Sequence, residues 1–165
     1  MLLDGYRRGL TIAAIGGTGL VSGLFFAYST FTMSGIRRLP GTDGLRTMQE
    51  INRAANNSAP LMLALFGTAT VCVVLGISAV RDLDSTASVL QLAAGTLYVV
   101  GAVGLTIAFH VPRNEALLLV DPTARNAIDT WRHYARVWTA GNHVRTIAAL
   151  GSTVLYAVSL GARTS

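Results

Sequence analysis

The chain has 165 residues, with thirteen Arg, no Lys and eight acidic residues, for a formal charge of +5. It is 52% hydrophobic and only 13% charged, against about 25% charged in an average soluble domain. Such a balance assigns the basic excess to membrane edges rather than to nucleic acid, and the single Cys72 excludes an intramolecular disulfide.

Residues 9–36, 54–80, 85–112 and 146–162 contain no Asp, Glu, Lys or Arg, and the only side chain within them that titrates near neutral pH by type is His110. Each is near or above the roughly 17–20 residues needed to cross the hydrocarbon layer as a helix. The expected fold is therefore an all-α, integral membrane four-helix bundle forming one domain, with spans over about 9–36, 58–80, 86–110 and 143–162. A soluble bundle would show a polar stripe along each helix, and residues 61–80 offer only Thr68, Thr70, Cys72 and Ser78. The first run is too long for a secretory signal and lacks a cleavage site, so it reads as a span. Its glycines Gly16, Gly17, Gly19 and Gly23 would also let copies pack as a homo-oligomer.

The first long loop starts with Asp43, a good N-cap, and Leu45, Met48, Asn52 and Ala55 follow at helical spacing. A short interfacial helix over 43–55 results, with Arg46 and Glu50 as a surface pair four apart. Asn52 falls on its inward stripe, where a buried amide must find a hydrogen bond, either as a structural tether or with a substrate.

Span three ends in His110-Val111-Pro112-Arg113-Asn114-Glu115. Pro112 either opens a fresh helix or kinks the span, and a kink frees carbonyls to face a cavity. Beyond it, Asp121-Pro122 is an N-cap followed by Pro at the first helical position. A second interfacial helix over 122–138 places Ile128, Trp131, Tyr134, Ala135 and Trp138 on one face. That stripe reads either as an interfacial aromatic belt or as the roof of a pocket for a flat ligand. On the other faces, Arg125, Asp129 and His133 form four-apart pairs, and His133 belongs to the solvated surface. Gly141 then suits a turn and Asn142 an N-cap. His143 and Arg145 would stand in the first turn of span four, where charge is costly unless paired or functional.

Nine of the thirteen arginines (Arg37, Arg38, Arg46, Arg53, Arg113, Arg125, Arg132, Arg136 and Arg145) belong to the two long loops and their edges, and four (Arg7, Arg8, Arg81 and Arg163) to the other end. The positive-inside rule therefore puts the long loops on the cytoplasmic side of the cell membrane.

Four segments carry a resemblance. Phe25-Phe26-Ala27-Tyr28-Ser29, Met48-Gln49-Glu50-Ile51-Asn52, Val111-Pro112-Arg113-Asn114-Glu115-Ala116-Leu117, and Trp131 with Trp138 and Asn142-His143-Val144-Arg145-Thr146 occur in this order. Together they resemble the anthrone oxygenase-like family of small four-span membrane proteins, whose described members are fungal polyketide-pathway proteins oxidising anthrones to anthraquinones. That pattern carries an amide or small residue where this chain has His110, which weakens any scheme making His110 essential to the family chemistry. His143, Arg145, Asn114 and Asn52 stay aligned with it.

The resemblance implies a membrane oxidoreductase acting with O2 on a hydrophobic aromatic substrate. An anthrone methylene is acidic because its carbanion is an aromatic phenolate, and that carbanion can reduce dioxygen without metal or flavin. On this reading His143 is the base, Glu115 orients it or replaces it, and Arg145 with Asn114 and Asn142 holds the oxyanion. Trp131, Tyr134, Trp138, Phe26 and Asn52 would line the substrate. A metal version draws on His110, His143 and Glu50 or Glu115, a two-His-one-carboxylate set suited to non-haem iron, although no local spacing supports it. A non-catalytic binder or helper subunit for a lipophilic molecule is the other reading. Transport is disfavoured because no span carries an acidic residue at mid-depth.

Overall fold

Lipid offers the backbone no hydrogen-bond partners, so each apolar run must bond within itself as a helix. The computed structural model describes residues 2–162 and is all-helical, with no strand among the described residues. Four helices are long and apolar enough to span: α1 (Gly5–Ile36), α3 (Ala59–Ala79), α4 (Thr86–Leu118) and α5 (Ala127–Gly161). Between α1 and α3 lies the amphipathic α2 (Asp43–Asn56). The protein is an integral membrane four-helix bundle. Arg163, counted in the orientation argument, lies outside the described residues.

Helix length places the functional end. With 32, 33 and 35 residues, α1, α4 and α5 run about 48–52 Å at 1.5 Å per residue. The hydrocarbon core is about 30 Å thick, and α3, with 21 residues, only just crosses it. The surplus length of the others gathers where α2 packs on the end of α4 and the start of α5. Two apolar cores follow from this. One fills the bundle around Leu65, Leu75, Tyr98, Ala149 and Tyr156. The other, with Met33, Leu45, Met48, Leu117, Trp131, Tyr134 and Trp138, joins α2 to the projecting ends of the spans. Leu20, Phe31, Val100 and Ile147 point outward, where lipid would cover them.

Small residues permit the close approach within the bundle. A Cβ added at Gly101 would lie 2.7 Å from the Ala148 methyl, so α4 and α5 touch through a glycine-alanine contact of the kind membrane helices favour. At the end opposite α2, Arg7 donates to Ser88 Oγ at 3.1 Å and Gln91 Oε1 at 3.2 Å, tying α1 to α4. Its guanidinium is also 3.9 Å from Asp82. Arg7→Ala removes these bonds and is expected to cost about 1–3 kcal/mol. Thermal unfolding in detergent would register this as a lower midpoint, with ligand binding at the far end unchanged.

Several local expectations are corrected. Residues 127–161 form one continuous helix, so Gly141 makes no turn and Asn142 is no N-cap. A glycine inside a helix costs about 1 kcal/mol, less than breaking the backbone ladder at the membrane edge. Asp121 does not open a helix either. It closes a small turn by accepting from the Thr123 amide and hydroxyl, both at 2.8 Å, and these bonds hold its carboxyl below the usual range. Asp43 sits in the first turn of α2, after Thr42. Glu50 pairs with Arg53, not Arg46, and Asp129 pairs with Arg132 rather than Arg125 or His133. Ile128, expected on the aromatic face, is exposed.

Candidate functional site

The aromatic stripe of α5 faces the protein. Trp131, Tyr134, Ala135 and Trp138 are all buried, which removes the belt reading and leaves these rings as internal walls. Trp131 stacks on Tyr134 with centroids 5.9 Å apart, and Tyr28 from α1 approaches Trp138 at 6.1 Å. Gly44 on α2 makes the first stack possible. A Cβ there would meet Trp131 Nε1 at 2.7 Å and the Ile36 carbonyl at 2.9 Å.

Polar groups meet at the edges of these rings. Asn114 Oδ1 accepts from the Tyr134 hydroxyl at 2.8 Å and from Trp138 Nε1 at 2.9 Å. Asn52, 2% exposed, neighbours the Tyr134 hydroxyl, yet its Nδ2 has no hydrogen-bond partner. Thus Asn52 and Asn114, on two different helices, converge on one tyrosine.

The turn that delivers His110 is unusual. Residues 97–104 and 106–110 of α4 are wound as wide π-turns, a geometry frequent at functional sites, and Pro112 follows where the backbone returns to α-helix. Pro112 therefore neither ends the span nor opens a separate helix. It sits at the junction of two windings, and Arg113 donates to the Phe109 carbonyl at 2.8 Å beside it. His110 is turned inward and 1% exposed. Its ring makes edge contacts with Phe109 and Trp138, each at 5.1 Å, and neither ring nitrogen has a side-chain hydrogen-bond partner, the Gly141 backbone being the polar group beside the ring. Gly141 makes room for it, since a Cβ there would lie 2.5 Å from the Phe109 ring and 3.1 Å from His110 Nε2.

Arg145 completes the cluster from two turns further along α5 than Trp138. It is 5% exposed, with its guanidinium 4.2 Å from the Phe25 ring centroid and 5.5 Å from that of Trp138. Nη1 donates to Thr106 Oγ1 at 3.0 Å and Nη2 to Asn142 Oδ1, while Nε has no partner. No carboxylate pairs with it among the described residues. Asn142 is committed to structure, because its Nδ2 donates to the Phe25 carbonyl at 2.7 Å and Ser29 Oγ at 2.6 Å. It tethers α1 to α5 and is not available as an oxyanion donor.

Other expected site residues lie apart. His143 and Glu115 are exposed on the outer faces of their helices, and Phe26 is exposed beside the buried Phe25. Glu50 is on the surface with Arg53. Among the described residues, no group of three His, Cys, Asp or Glu could hold a metal ion, so the set of His110, His143, Glu50 and Glu115 is not assembled. Thr106 and Ser29 were not singled out from the sequence. Their place in the site comes from Arg145 and Asn142 on another helix.

Two openings adjoin the cluster. A largely apolar groove of about 260 Å³ between the end of α4 and the start of α5 is lined by Ala116, Leu117, Val120, Tyr134 and Val137, with Arg113 and His133 at its rim. A second cleft of about 420 Å³ runs between the end of α1 and α5 past Arg37, Trp131, Arg132 and Arg136. Tyr134 and Trp131 are shared by the openings and the interior.

These features define a small integral membrane protein with a polar, aromatic-walled centre at one end of a four-helix bundle. The family model described as anthrone oxygenase matches residues 52–155. The chain belongs to that family, and an oxygenase-like function follows from membership. The matched range holds Asn52, His110, Asn114, Trp138 and Arg145, while the Phe25–Ser29 motif precedes it. No curated protein and no solved structure matches the chain.

Proposed function

We propose that the protein oxidises the acidic methylene of a hydrophobic, anthrone-like aromatic substrate with dioxygen, and that the buried cluster around Trp138 is where this happens. The observation that carries the reading is a buried guanidinium without a carboxylate, on the same indole as a buried imidazole whose nitrogens have no side-chain partner. An unpaired buried cation is strongly unfavourable by itself, and each unsatisfied polar group costs roughly 1–3 kcal/mol. An anionic aromatic guest that also offers a proton removes both penalties.

The chemistry follows from the groups present. His110 takes a proton from the methylene carbon, and the resulting carbanion is a phenolate whose charge rests on the ring oxygen. Arg145 stabilises that oxygen with a fixed donor in a water-poor site, usually the largest catalytic contribution. The electron-rich phenolate reduces O2, the carbon gains one oxygen atom and loses its second hydrogen, and the other oxygen atom leaves as water. Methylene plus O2 thus gives carbonyl plus water. Trp138, Tyr134 and Tyr28 supply flat walls for the rings, and the apolar groove leading to Tyr134 is a route in from the bilayer edge. His110, not His143, is the base in this scheme, because only His110 faces the cluster.

The reading is tested with purified protein in detergent, an anthrone and 18O2. Expected are a rate well above uncatalysed autoxidation, one O2 consumed per anthraquinone, and label in the new carbonyl. A rate equal to that of protein-free detergent would reject it. A narrower check uses Gly141→Ala, whose added methyl displaces the Phe109 and His110 rings. Activity should fall about tenfold or more for a shift near 1 Å, while circular dichroism still reports a full helical content.

A further inference from the structure

We propose that the cleft between the end of α1 and the start of α5 is a binding site for the phosphate of an anionic lipid headgroup. Three guanidinium groups line it, those of Arg37, Arg132 and Arg136, with no acidic side chain among its lining residues. Guanidinium forks match phosphate oxygens in pairs, which makes arginine the preferred side chain for such groups.

One of the three is held in place before any ligand arrives. Arg37 Nη2 donates to the Ala135 carbonyl and to Thr139 Oγ1 at 3.0 Å, which fixes the guanidinium against α5. Arg136 has no ion-pair partner among the described residues, and Arg132 has only the exposed Asp129, at 3.6 Å. The cleft is therefore a concentrated, weakly compensated positive field.

Its position selects the source of the phosphate. Arg37 directly follows Ile36, the last residue of α1, and the rim includes Leu39 and Ile128, 41% and 40% exposed. Cations beside exposed aliphatic groups match an amphipathic phosphate ligand whose acyl chains cover the apolar rim. Trp131, buried against Tyr134, also lines the cleft. A free anion in water would use the arginines but leave the apolar rim without a partner. The cleft adjoins the oxidation site through Trp131, which lines the cleft and stacks on Tyr134, but the lipid reading does not depend on the oxidation.

The test uses the full chain purified in neutral detergent. Phosphatidylglycerol and phosphatidylcholine of matched acyl chains are titrated in separately, and bound lipid is counted by native mass spectrometry. Phosphatidylglycerol is expected to bind at least about tenfold more tightly, because the choline ammonium is repelled by the arginines. The doubly substituted Arg132→Gln/Arg136→Gln protein should lose about 25-fold, at about fivefold per arginine near a phosphate layer. Its helical content should be unchanged, since both side chains are exposed. Equal binding of the two lipids would overturn the proposal, and so would undiminished binding by the double variant. Inorganic phosphate alone should not bind measurably; affinity equal to that of the lipid would assign the cleft to a soluble anion instead.

Discussion

His110→Ala should lower the rate of anthrone oxidation about 100-fold or more, the usual contribution of a positioned general base, whereas His143→Ala should leave it unchanged. The two histidines separate because of helix geometry. His143 follows Asn142 directly in α5, and consecutive helical residues do not share a face. Asn142 and Arg145, three apart, are buried together, which turns His143 outward. His110 arrives from the other side, on α4, with its ring against Trp138. A lost rate in His110→Ala has a trivial explanation if the cavity it leaves unfolds the site. His110→Phe addresses this, since it keeps an aromatic ring and removes two buried nitrogens that lack side-chain partners. Removing unsatisfied polar atoms should leave the midpoint of thermal unfolding no lower than that of the parent protein. A variant that is inactive yet as stable as the parent marks a group kept for chemistry. An active His110→Phe protein, or a loss confined to His143→Ala, would move the base to another residue.

The fold was legible because the bilayer writes it in composition. Runs without charge over residues 9–36, 54–80, 85–112 and 146–162 leave helices as the only solution, and the structure has four spanning helices. The inward stripe of α2 was also readable, since Leu45, Met48 and Asn52 recur at helical spacing and are all buried. What failed was local punctuation near the membrane edge. Gly141-Asn142 has the residue types of a turn and cap, but tertiary contacts gave both another use. Gly141 clears space for Phe109 and His110, and the Asn142 amide spans to α1. Charge pairing was misassigned for a related reason. Several carboxylate-arginine spacings coexist on these helices, and the exposed pairs formed are the three-apart ones, Glu50 with Arg53 and Asp129 with Arg132.

The site was half legible. Asn114, Tyr134, Trp138 and Arg145 were singled out and converge. Thr106 and Ser29 escaped notice because a hydroxyl in an apolar run usually bonds its own helix, as Thr106 also does with the Ala102 carbonyl. The departure at His110 deserves weight in that light. A histidine at this position looked like a local exception, yet the π-winding before Pro112 turns its ring into the centre of the protein.

Asn142 and Arg145 should respond to substitution in opposite ways, and the contrast separates structure from chemistry. Asn142→Ala removes the oxygen that accepts from Arg145 and the amide that reaches Phe25 and Ser29. It leaves a buried cation with Thr106 as its one remaining hydrogen-bond partner, and stranding a buried charge costs about 3–5 kcal/mol. The protein should unfold at a clearly lower temperature or fail to accumulate. Arg145→Met instead removes the charge while keeping an unbranched apolar stem between Phe25 and Trp138. Asn142 then loses one partner but keeps its bonds to α1, so the loss of stability should be smaller, of the order of 1–2 kcal/mol. Its rate should nevertheless fall about 100- to 1,000-fold, as expected when the main donor to a developing oxyanion is lost. The double variant Asn142→Ala/Arg145→Met should recover part of the stability lost in Asn142→Ala, because no buried charge remains to be stranded. Activity should stay at the level of Arg145→Met. If the double variant regained activity together with stability, Arg145 would be a packing element and the oxyanion would have to rest on Asn52 or the Tyr134 hydroxyl.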